Sequence, residues 1–394
     1  MSNFLNKMKS WFNPVAVFFH NANKRPGFKA SISSVASILI GLVVGLIIML
    51  IVSPTHAFTG LWTLISTGFS DAHLFSRVIF KATPLIFAGL SIAFSFNLGL
   101  FNIGITGQVT LGAFTSILAG LSGANRFVCM LVGMLSGALV GFIPALLKDK
   151  FHVNEVLSGI MLNWITYYII GICGNLAVPR AFKDKASPSQ LLMIPSDARM
   201  PSLGIPGMEN ISVGLIIAIL FIIGIFVVLN YTTFGFELKM TGRNASASRY
   251  AGVNQSKSTI LALTISGALA GICGYMLYAE PTAPNKFVWD SSANTLLADG
   301  FTGISVSLIA QNSPIGCLLS SIFLTLIDAS SNSLKTISNG AYNVHYTELI
   351  KSVIIYVAAL SSFFKIILTK LNDKNEMNDY FTRNQFKKVR KEAK

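Results

Sequence analysis

Long uncharged apolar runs dominate this chain. One run extends from Ala30 to Val52, and a second stretch contains no charged residue over the 44 positions from Ala82 to Asn125. A helix that spans a membrane needs about 20 apolar residues. The first run therefore predicts one spanning helix, and the second predicts two, with a break near Asn97, Gly99 and Gly104. The first run is longer than the core of a signal peptide, so we interpret it as an uncleaved helix.

Further runs of the same kind follow along the chain. The stretch from Ser291 to Ile327, which contains Pro314, predicts two short helices. Both ends of the chain are basic, which favours cytoplasmic termini and an even number of helices. The sequence thus predicts an all-α integral membrane fold of about ten transmembrane helices in residues 30–369, between a cytoplasmic tail over residues 1–29 and a basic cytoplasmic tail over residues 370–394. The remaining single spans are Phe127–Leu147, Val156–Pro179, Asn210–Phe236, Ser258–Ala279 and Leu349–Leu368.

This topology assigns the polar segments to the two sides of the membrane. Residues 53–76 and 178–209 are predicted to be external, whereas Lys148–Lys150 and residues 231–257 are predicted to be cytoplasmic. The 178–209 segment is rich in proline and in charged residues, and such sequence cannot span hydrocarbon. We therefore predict an ordered external loop there.

A weak internal similarity relates residues 102–111 to residues 298–307. Each segment contains a Gly-x-x-Gly pair, beginning at Gly104 in one and at Gly300 in the other. If helices 2–5 and 7–10 are equivalent, the single helix between them inverts the second set, as in many transporters. The alternative is chance similarity between helices rich in small residues.

Composition agrees with a membrane protein. Charged residues make up 12% of the chain, apolar residues 52%, and the mean hydropathy is +0.62, whereas soluble domains contain about 25% charged residues. The net charge of +14 comes from tails and short loops between the apolar runs. That distribution is typical of membrane proteins, so we predict a lipid bilayer and no nucleic acid as partner. The cysteines lack the spacing of metal ligands or disulfides; they are Cys129, Cys173, Cys273 and Cys317.

Motifs for catalysis and for nucleotide binding are absent from the sequence. It contains no Gly-x-x-x-x-Gly-Lys-Ser/Thr, and its five histidines are scattered. We therefore predict that this chain is not an enzyme and holds no cofactor or metal. Ionisable residues are rare inside the runs, which counts against an ion-coupled carrier. Asp328 is expected at a membrane edge, and Glu155 at a helix start that suits its charge.

Neutral amides are the main polar groups inside the runs. An amide in hydrocarbon must be hydrogen-bonded, so it faces either another helix or a wet cavity. It then either lines a pathway for a neutral polar solute or joins helices together, and the sequence leaves both interpretations open. The candidate pathway residues are Asn97, Asn102, Gln108 and Asn163, and Gln311 and Asn312 are of the same kind.

Glycines at intervals of four residues form a second pattern inside the runs. They occur at Gly133, Gly137 and Gly141, and again at Gly267 and Gly271. This spacing allows two helix backbones to approach closely. It predicts packing and does not discriminate between functions.

Residues 231–257 carry the most specific pattern. Gly242 and Gly252 bracket a short run rich in alanine and serine. Asn244 can cap a helix start, and we predict a helix of about two turns from Ala245 to Tyr250. A short exposed helix between long spans suits docking into a soluble partner, and a plain connector is the alternative. The predicted coupling residues are Gly235, Glu237, Lys239, Gly242, Arg243, Asn244, Ala247, Arg249 and Gly252.

At these residues the chain resembles the permeases of bacterial ATP-binding-cassette (ABC) importers for simple sugars, nucleosides and branched-chain amino acids. From Gly235 onward it matches the family pattern Gly-Phe-x-x-Lys/Arg-x-x-Gly-x-Asn-x-x-Ala-x-x-x-Gly, with Gly252 one place late. Residues 101–108 resemble Phe-Asn-Ile-Gly-x-Glu-Gly-Gln, with Thr106 in place of Glu. Residues 300–308 resemble Gly-Phe-Asp-Gly-Ile-Ala-Val-Ala-Leu, with threonine in place of Asp.

The resemblance implies a multi-pass permease subunit in the bacterial cell membrane. Its implied partners are a cytoplasmic ABC ATPase that binds the ATP, a second permease subunit that is identical or related, and an extracellular substrate-binding lipoprotein. The external segment 182–203 is similar to the long loop of nucleoside-type members, so nucleosides are the first expected solute and ribose-like sugars the second. Branched-chain amino acids come third, because the helices show no charged pair for an ammonium and a carboxylate. An ion-coupled secondary transporter is the main alternative outside the family.

Overall fold

The computed structural model describes residues 26–281, 285–289, 296–337, 345, 348–353 and 355–357. Most of these residues fold into helices joined by short connections, and a longer segment without α-helix covers residues 177–212. The α-helices, in chain order, are α1 Pro26–Val52, α2 Ala57–Ser66, α3 Ala72–Asn97, α4 Ile105–Leu121, α5 Arg126–Phe151, α6 Glu155–Leu176, α7 Val213–Tyr231, α8 Thr233–Arg243, α9 Ala245–Tyr250, α10 Gln255–Tyr278, α11 Asp299–Ile309 and α12 Pro314–Ile337.

Six of these helices are long and apolar enough to cross a membrane, namely α3, α5, α6, α7, α10 and α12. Shorter apolar helices lie at Ile38–Val52, Ile105–Leu121 and Asp299–Ile309. Among the described residues, β-structure is limited to isolated bridges such as that between Lys183 and Leu191. The all-α membrane fold is thus confirmed. The count of ten helices and the location of the termini stay predictions, since most of the last predicted span lies outside the described residues.

Helix α3 lies at the centre of the structure and is almost wholly buried. It packs along α10, α11 and α12, and it also touches α7. In contrast, most of the apolar surface of α5, α6 and α7 is left exposed by the rest of the chain. Such a distribution is expected when lipid is the outer solvent, because buried polar groups then collect on the central helices.

Helices α4, α5 and α10 approach each other closely through glycines. A Cβ atom built on Gly137 would lie 2.7 Å from the Cα atom of Gly271, and one built on Gly112 would lie 2.6 Å from the same atom. Side chains cannot approach backbone atoms that closely, so only glycine fits. The predicted packing role of these glycines is confirmed.

The central helices pack in a reciprocal pattern. Helix α10 packs along α4 and α5, whereas α3 packs along α11 and α12. Where α3 meets α10, Ser91 Oγ donates to the Ser266 carbonyl at 2.7 Å, and Ser266 Oγ donates to the Ser91 carbonyl at 2.7 Å. The helices therefore form two sets, α3–α5 and α10–α12. The first helix of each set packs against the second and third helices of the other set.

The largest differences from the sequence-based expectation concern α2, α3 and α12. Helix α3 begins at Ala72 and not at Ala82, and α2 occupies part of the predicted external segment 53–76. Helix α12 continues to Ile337, ten residues beyond the predicted run. In α3 and α12, charged residues that the sequence analysis took as helix ends lie inside the helix. Asp328 is such a residue, and its carboxylate accepts from Lys351 Nζ at 2.8 Å.

A leucine at Gly137 should destabilise the helix bundle, because its side chain would overlap the backbone of α10. Overpacking of this kind typically costs about 1–3 kcal/mol. We expect Gly137→Leu to lower the thermal unfolding midpoint of detergent-solubilised protein, measured by size-exclusion chromatography after heating. The matched control is Gly171→Leu, because a Cβ at Gly171 meets no atom within 4 Å. Equal loss in both variants would contradict the packing assignment.

Candidate functional site

A buried polar network crosses the break between α3 and α4. Asn102 Nδ2 donates to Gln108 Oε1 at 2.8 Å, and Gln108 Nε2 donates back to Asn102 Oδ1 at 3.1 Å. Asn102 Nδ2 also donates to Ser266 Oγ at 2.9 Å, which joins it to the reciprocal serine pair. All these side chains are buried. The network therefore ties the irregular backbone after α3 to both α4 and α10.

A second amide fastens the same break to α6. Asn163 Oδ1 accepts from the Gly107 backbone N–H at 2.8 Å, and Asn163 Nδ2 donates to the Ile103 carbonyl at 3.1 Å. The Gly107 N–H lies in the first turn of α4, where a helix leaves its N–H groups without intrahelical partners. The Ile103 carbonyl lies two residues before that helix. Asn163 thus supplies hydrogen bonds that lipid could not supply.

The remaining amides lie at the opposite end of α3 from Ala72. Asn97 Nδ2 donates to the Ala93 carbonyl at 2.7 Å and to the Asn312 carbonyl at 3.4 Å. Gln311 and Asn312 have left-handed backbones, with φ of 50° and 58°. Asparagine tolerates this conformation better than most residues. This contact joins the end of α3 to the turn between α11 and α12.

All four candidate pathway amides are thus hydrogen-bonded within the protein, which favours the role of joining helices. Their assignment to a translocation pathway stays a prediction. Thr106, which replaces the family's glutamate, is buried at the start of α4. Its hydroxyl lacks a hydrogen-bond partner among the described residues. A Cβ built on Gly300 would lie 2.6 Å from the Thr106 Cα atom, so the starts of α4 and α11 meet there.

The 231–257 segment folds into two helices. The helix predicted from Ala245 to Tyr250 is confirmed as α9, and Asn244 Oδ1 caps it by accepting from the Ala247 N–H at 3.0 Å. Sequence reasoning missed α8, whose start is capped by Thr232 Oγ1. An N-cap threonine is a recognisable signal, but here it follows an apolar run without a break.

Two glycines of the segment have different physical roles. A Cβ built on Gly242 would lie 2.5 Å from the Asn97 carbonyl oxygen and 2.8 Å from the Leu98 carbonyl carbon. Gly242 therefore allows α8 to rest directly on the end of α3. Gly252 has a φ of 82°, a left-handed conformation that favours glycine at the end of a helix.

The segment is fixed to its neighbours by polar contacts. Gln255 Nε2 donates to Ser248 Oγ at 3.0 Å and also bonds the Ala245 carbonyl, which ties α9 to the start of α10. Lys239 Nζ donates to Asn230 Oδ1 at 2.8 Å. Burial lowers the pKa of Lys239, and the positive charge of Arg243 lowers it further. These contacts make the segment a continuation of the helices rather than a loose connector.

The outer surface of the segment is open. Arg243, Ala247 and Arg249 are exposed, and Tyr250 is 94% exposed. Of the other predicted coupling residues, Gly235 is buried against the backbone of α7, and Glu237 is half-buried. Helix α9 and the residues beside it thus form a short, basic and partly aromatic protrusion that is held by its neighbours. This shape suits insertion into a cleft of another protein.

A cavity of about 610 Å³ lies at the other end of α3. Its lining includes the basic side chains of Arg77 and Lys81 and the carboxylates of Glu280, Asp299 and Asp328. Burial raises the pKa of Glu280, and the charges of Arg77 and Lys81 offset part of that rise. Neutral polar and apolar groups complete the lining, namely His73, Phe80, Pro84, Leu85, Asn210, Leu277, Asn285 and Thr325.

Sequence reasoning missed this cavity because it assigned Arg77 and Lys81 to the polar segment before the apolar run that begins at Ala82. His73, Arg77 and Lys81 recur every four residues, which places them on one face of a helix. That spacing was the available signal. The expectation that the helices show no charged pair for an ammonium and a carboxylate is corrected, since basic and acidic side chains of the helices share this cavity.

Comparisons with known proteins decide the family. The model of the family described as "Branched-chain amino acid transport system / permease component" matches residues 74–359. The chain belongs to this family of transport permeases. It is therefore a multi-pass membrane protein whose family role is transport and not catalysis, as the sequence predicted.

Three relatives match this chain in sequence along most of their length. The chain is 29% identical to the guanosine ABC transporter permease NupP of Bacillus subtilis, over 86% of this chain and 95% of that protein. It is 28% identical to the nucleoside ABC transporter permease NupB of Lactococcus lactis, over 84% of this chain and 92% of that protein. A second Bacillus subtilis guanosine permease, NupQ, is 28% identical over 72% of this chain and 89% of its own length.

A double-mutant cycle tests the buried network. Asn102→Leu or Gln108→Met alone leaves a buried amide without its partner, which costs about 1–3 kcal/mol of folding stability. The double variant removes both partners, so we expect it to lose clearly less than the sum of the two single losses. Unfolding midpoints in detergent measure the effect. The control pairs Gln108→Met with Asn230→Leu near the end of α7, where additive losses are expected; additivity in the test pair would refute the network.

Proposed function

We propose that this chain is the permease subunit of an ABC importer that moves nucleosides into the cell. The observation that carries the proposal is the exposed, capped helix α9, which is held on the end of the buried helix α3 through Gly242. Family membership supports transport. The two full-length relatives named as guanosine and nucleoside ABC permeases support the importer class and the solute.

The partners follow from the same proposal. A cytoplasmic ABC ATPase binds the ATP and receives α9, and a substrate-binding lipoprotein delivers the solute from outside. NupP and NupQ are both guanosine permeases of one organism, which favours a second, related permease subunit over a pair of identical chains. Ten helices with cytoplasmic termini place residues 231–257 on the ATPase side and residues 178–209 outside.

The coupling residues act through a short physical path. Closure of the ATPase on ATP pushes the surface formed by Ala247, Arg249 and Tyr250. Because Gly242 touches Asn97 and Leu98 directly, α8 transmits this push to the end of α3. Asn97 in turn bonds the turn before α12. The packed helices then switch between two arrangements, one in which the solute pathway opens outward and one in which it opens inward.

An inverted repeat gives this motion its geometry. The exchange of packing partners between α3–α5 and α10–α12, and the reciprocal bonds between Ser91 and Ser266, are what a twofold relation between the two sets would produce. The Ser91–Ser266 contact then lies on the axis. Transporters built in this way place the solute pathway where the repeats meet.

An alanine at Gly242 should separate ATP hydrolysis from uptake, because its Cβ would displace α8 from the end of α3. Substitutions along a coupling path change coupling by about 0.5–2 kcal/mol, so we expect guanosine uptake to fall roughly tenfold. The measurement is ATP-driven uptake and ATP hydrolysis by the complete importer in proteoliposomes, with ATP hydrolysis retained in the variant.

The matched control is Gly224→Ala in α7, where a Cβ meets no atom within 4 Å. It should leave uptake and hydrolysis unchanged. Full uptake by Gly242→Ala would show that the contact with α3 does not transmit force. Uptake by the wild-type chain without any ATPase would refute the importer assignment itself and favour a secondary transporter.

A further inference from the structure

The cavity beside α3 must contain water. Lys81 lies nine residues into α3, which is about 14 Å along the helix axis from Ala72, and its side chain is nevertheless exposed. A lysine exposed to hydrocarbon at that depth would be costly, and such residues almost always face a bundle interior or a wet cavity. Since Lys81 lines the cavity, the cavity brings water deep into the permease from the end opposite Gly242.

The charged groups that line this cavity form no direct ion pairs with each other. Among the described residues, direct ion pairs join Lys148 to Glu155, Lys286 to Asp184 and Lys351 to Asp328. Within that part of the chain, Arg77, Lys81, Glu280 and Asp299 form no such pair. Four charged side chains therefore face a common space of about 610 Å³, a volume in the usual range of small-molecule sites. Their donors and acceptors are available to a solute.

The lining indicates the chemical class of that solute. The two basic groups and the carboxylates of Glu280 and Asp299 balance, and Asp328 is neutralised by Lys351, so the cavity has no net charge to select an ion. Phe80, Pro84, Leu85 and Leu277 add an apolar surface next to these polar groups. A neutral molecule with one flat apolar part and several hydroxyl or amide groups matches both surfaces.

We infer that this cavity within a single permease subunit is a solute-binding site for a nucleoside, in which Lys81 and Asp299 hydrogen-bond the polar groups of the molecule. The inference rests on the proposed function and goes further, because it assigns the solute to this subunit's own outer cavity. The carboxylate of Asp299 accepts from hydroxyl groups, and the ammonium of Lys81 donates to ring or hydroxyl acceptors.

Uptake by the complete importer in proteoliposomes tests the site. Lys81→Gln and Asp299→Asn remove one charge each but keep a polar side chain. Hydrogen bonds to charged groups contribute about 1.5–3 kcal/mol, so we expect the KM for guanosine uptake to rise at least tenfold. The control is Glu155→Gln, whose ion pair with Lys148 lies at the first residue of α6, away from the cavity; it should keep the wild-type KM. Unchanged KM in both cavity variants, with an active wild type, would overturn the site but not the importer assignment.

A labelling experiment tests the same site without requiring transport. In the assembled importer, Lys81→Cys should react with a membrane-impermeant thiol reagent added outside, and millimolar guanosine should slow this reaction at least tenfold. Arg77→Cys, nearer the start of α3, is the second position in case the first variant does not fold. Cys173 is half-buried and is replaced by alanine in all variants. Absence of protection by guanosine, or equal protection by leucine, would overturn the nucleoside site, and the latter result would favour a zwitterionic amino acid.

Discussion

Hydrocarbon offers no hydrogen bonds, yet the chain between α3 and α4 leaves helical structure between two apolar helices. Every backbone group exposed by such a break must be satisfied from within the protein. Asn163 forms hydrogen bonds with the Gly107 N–H and the Ile103 carbonyl. Asn102, which lies in the break, forms reciprocal hydrogen bonds with Gln108 of α4. Other features of the fold depend on this requirement, because it fixes α4, α6 and α10 around one irregular segment.

The same break connects the two ends of the proposed machine. The end of α3 at which Gly242 touches Asn97 and Leu98 is the proposed cytoplasmic end. The same helix carries Lys81, which lines the cavity at its other end. Helix α3 therefore joins the proposed docking surface to the proposed solute site in one rigid element. A force applied at α9 does not need a long chain of side-chain contacts to reach the cavity.

Much of this arrangement could be predicted from the sequence, for identifiable reasons. Uncharged runs of about 20 residues mark spanning helices because hydrocarbon excludes charge, and Asn244 marks the start of α9 because its side chain caps a free N–H. The start of α3 could not be predicted in this way. Arg77 and Lys81 are charged, and only the folded structure shows that they face a cavity and not the bilayer. The hydrogen-bond partners of Asn102 and Ser91 are likewise set by helix packing, which local sequence patterns do not reveal.

The central claim is that α9 and the end of α3 move as one body, and a distance measurement tests it directly. Spin labels at Ala247→Cys and Phe96→Cys, both exposed positions, report the separation of these two elements by pulsed electron paramagnetic resonance in the assembled importer. The account predicts the same distance distribution without nucleotide and with ATP trapped in the ATPase. A shift of several ångströms between the two states would contradict it, because α9 would then move without α3.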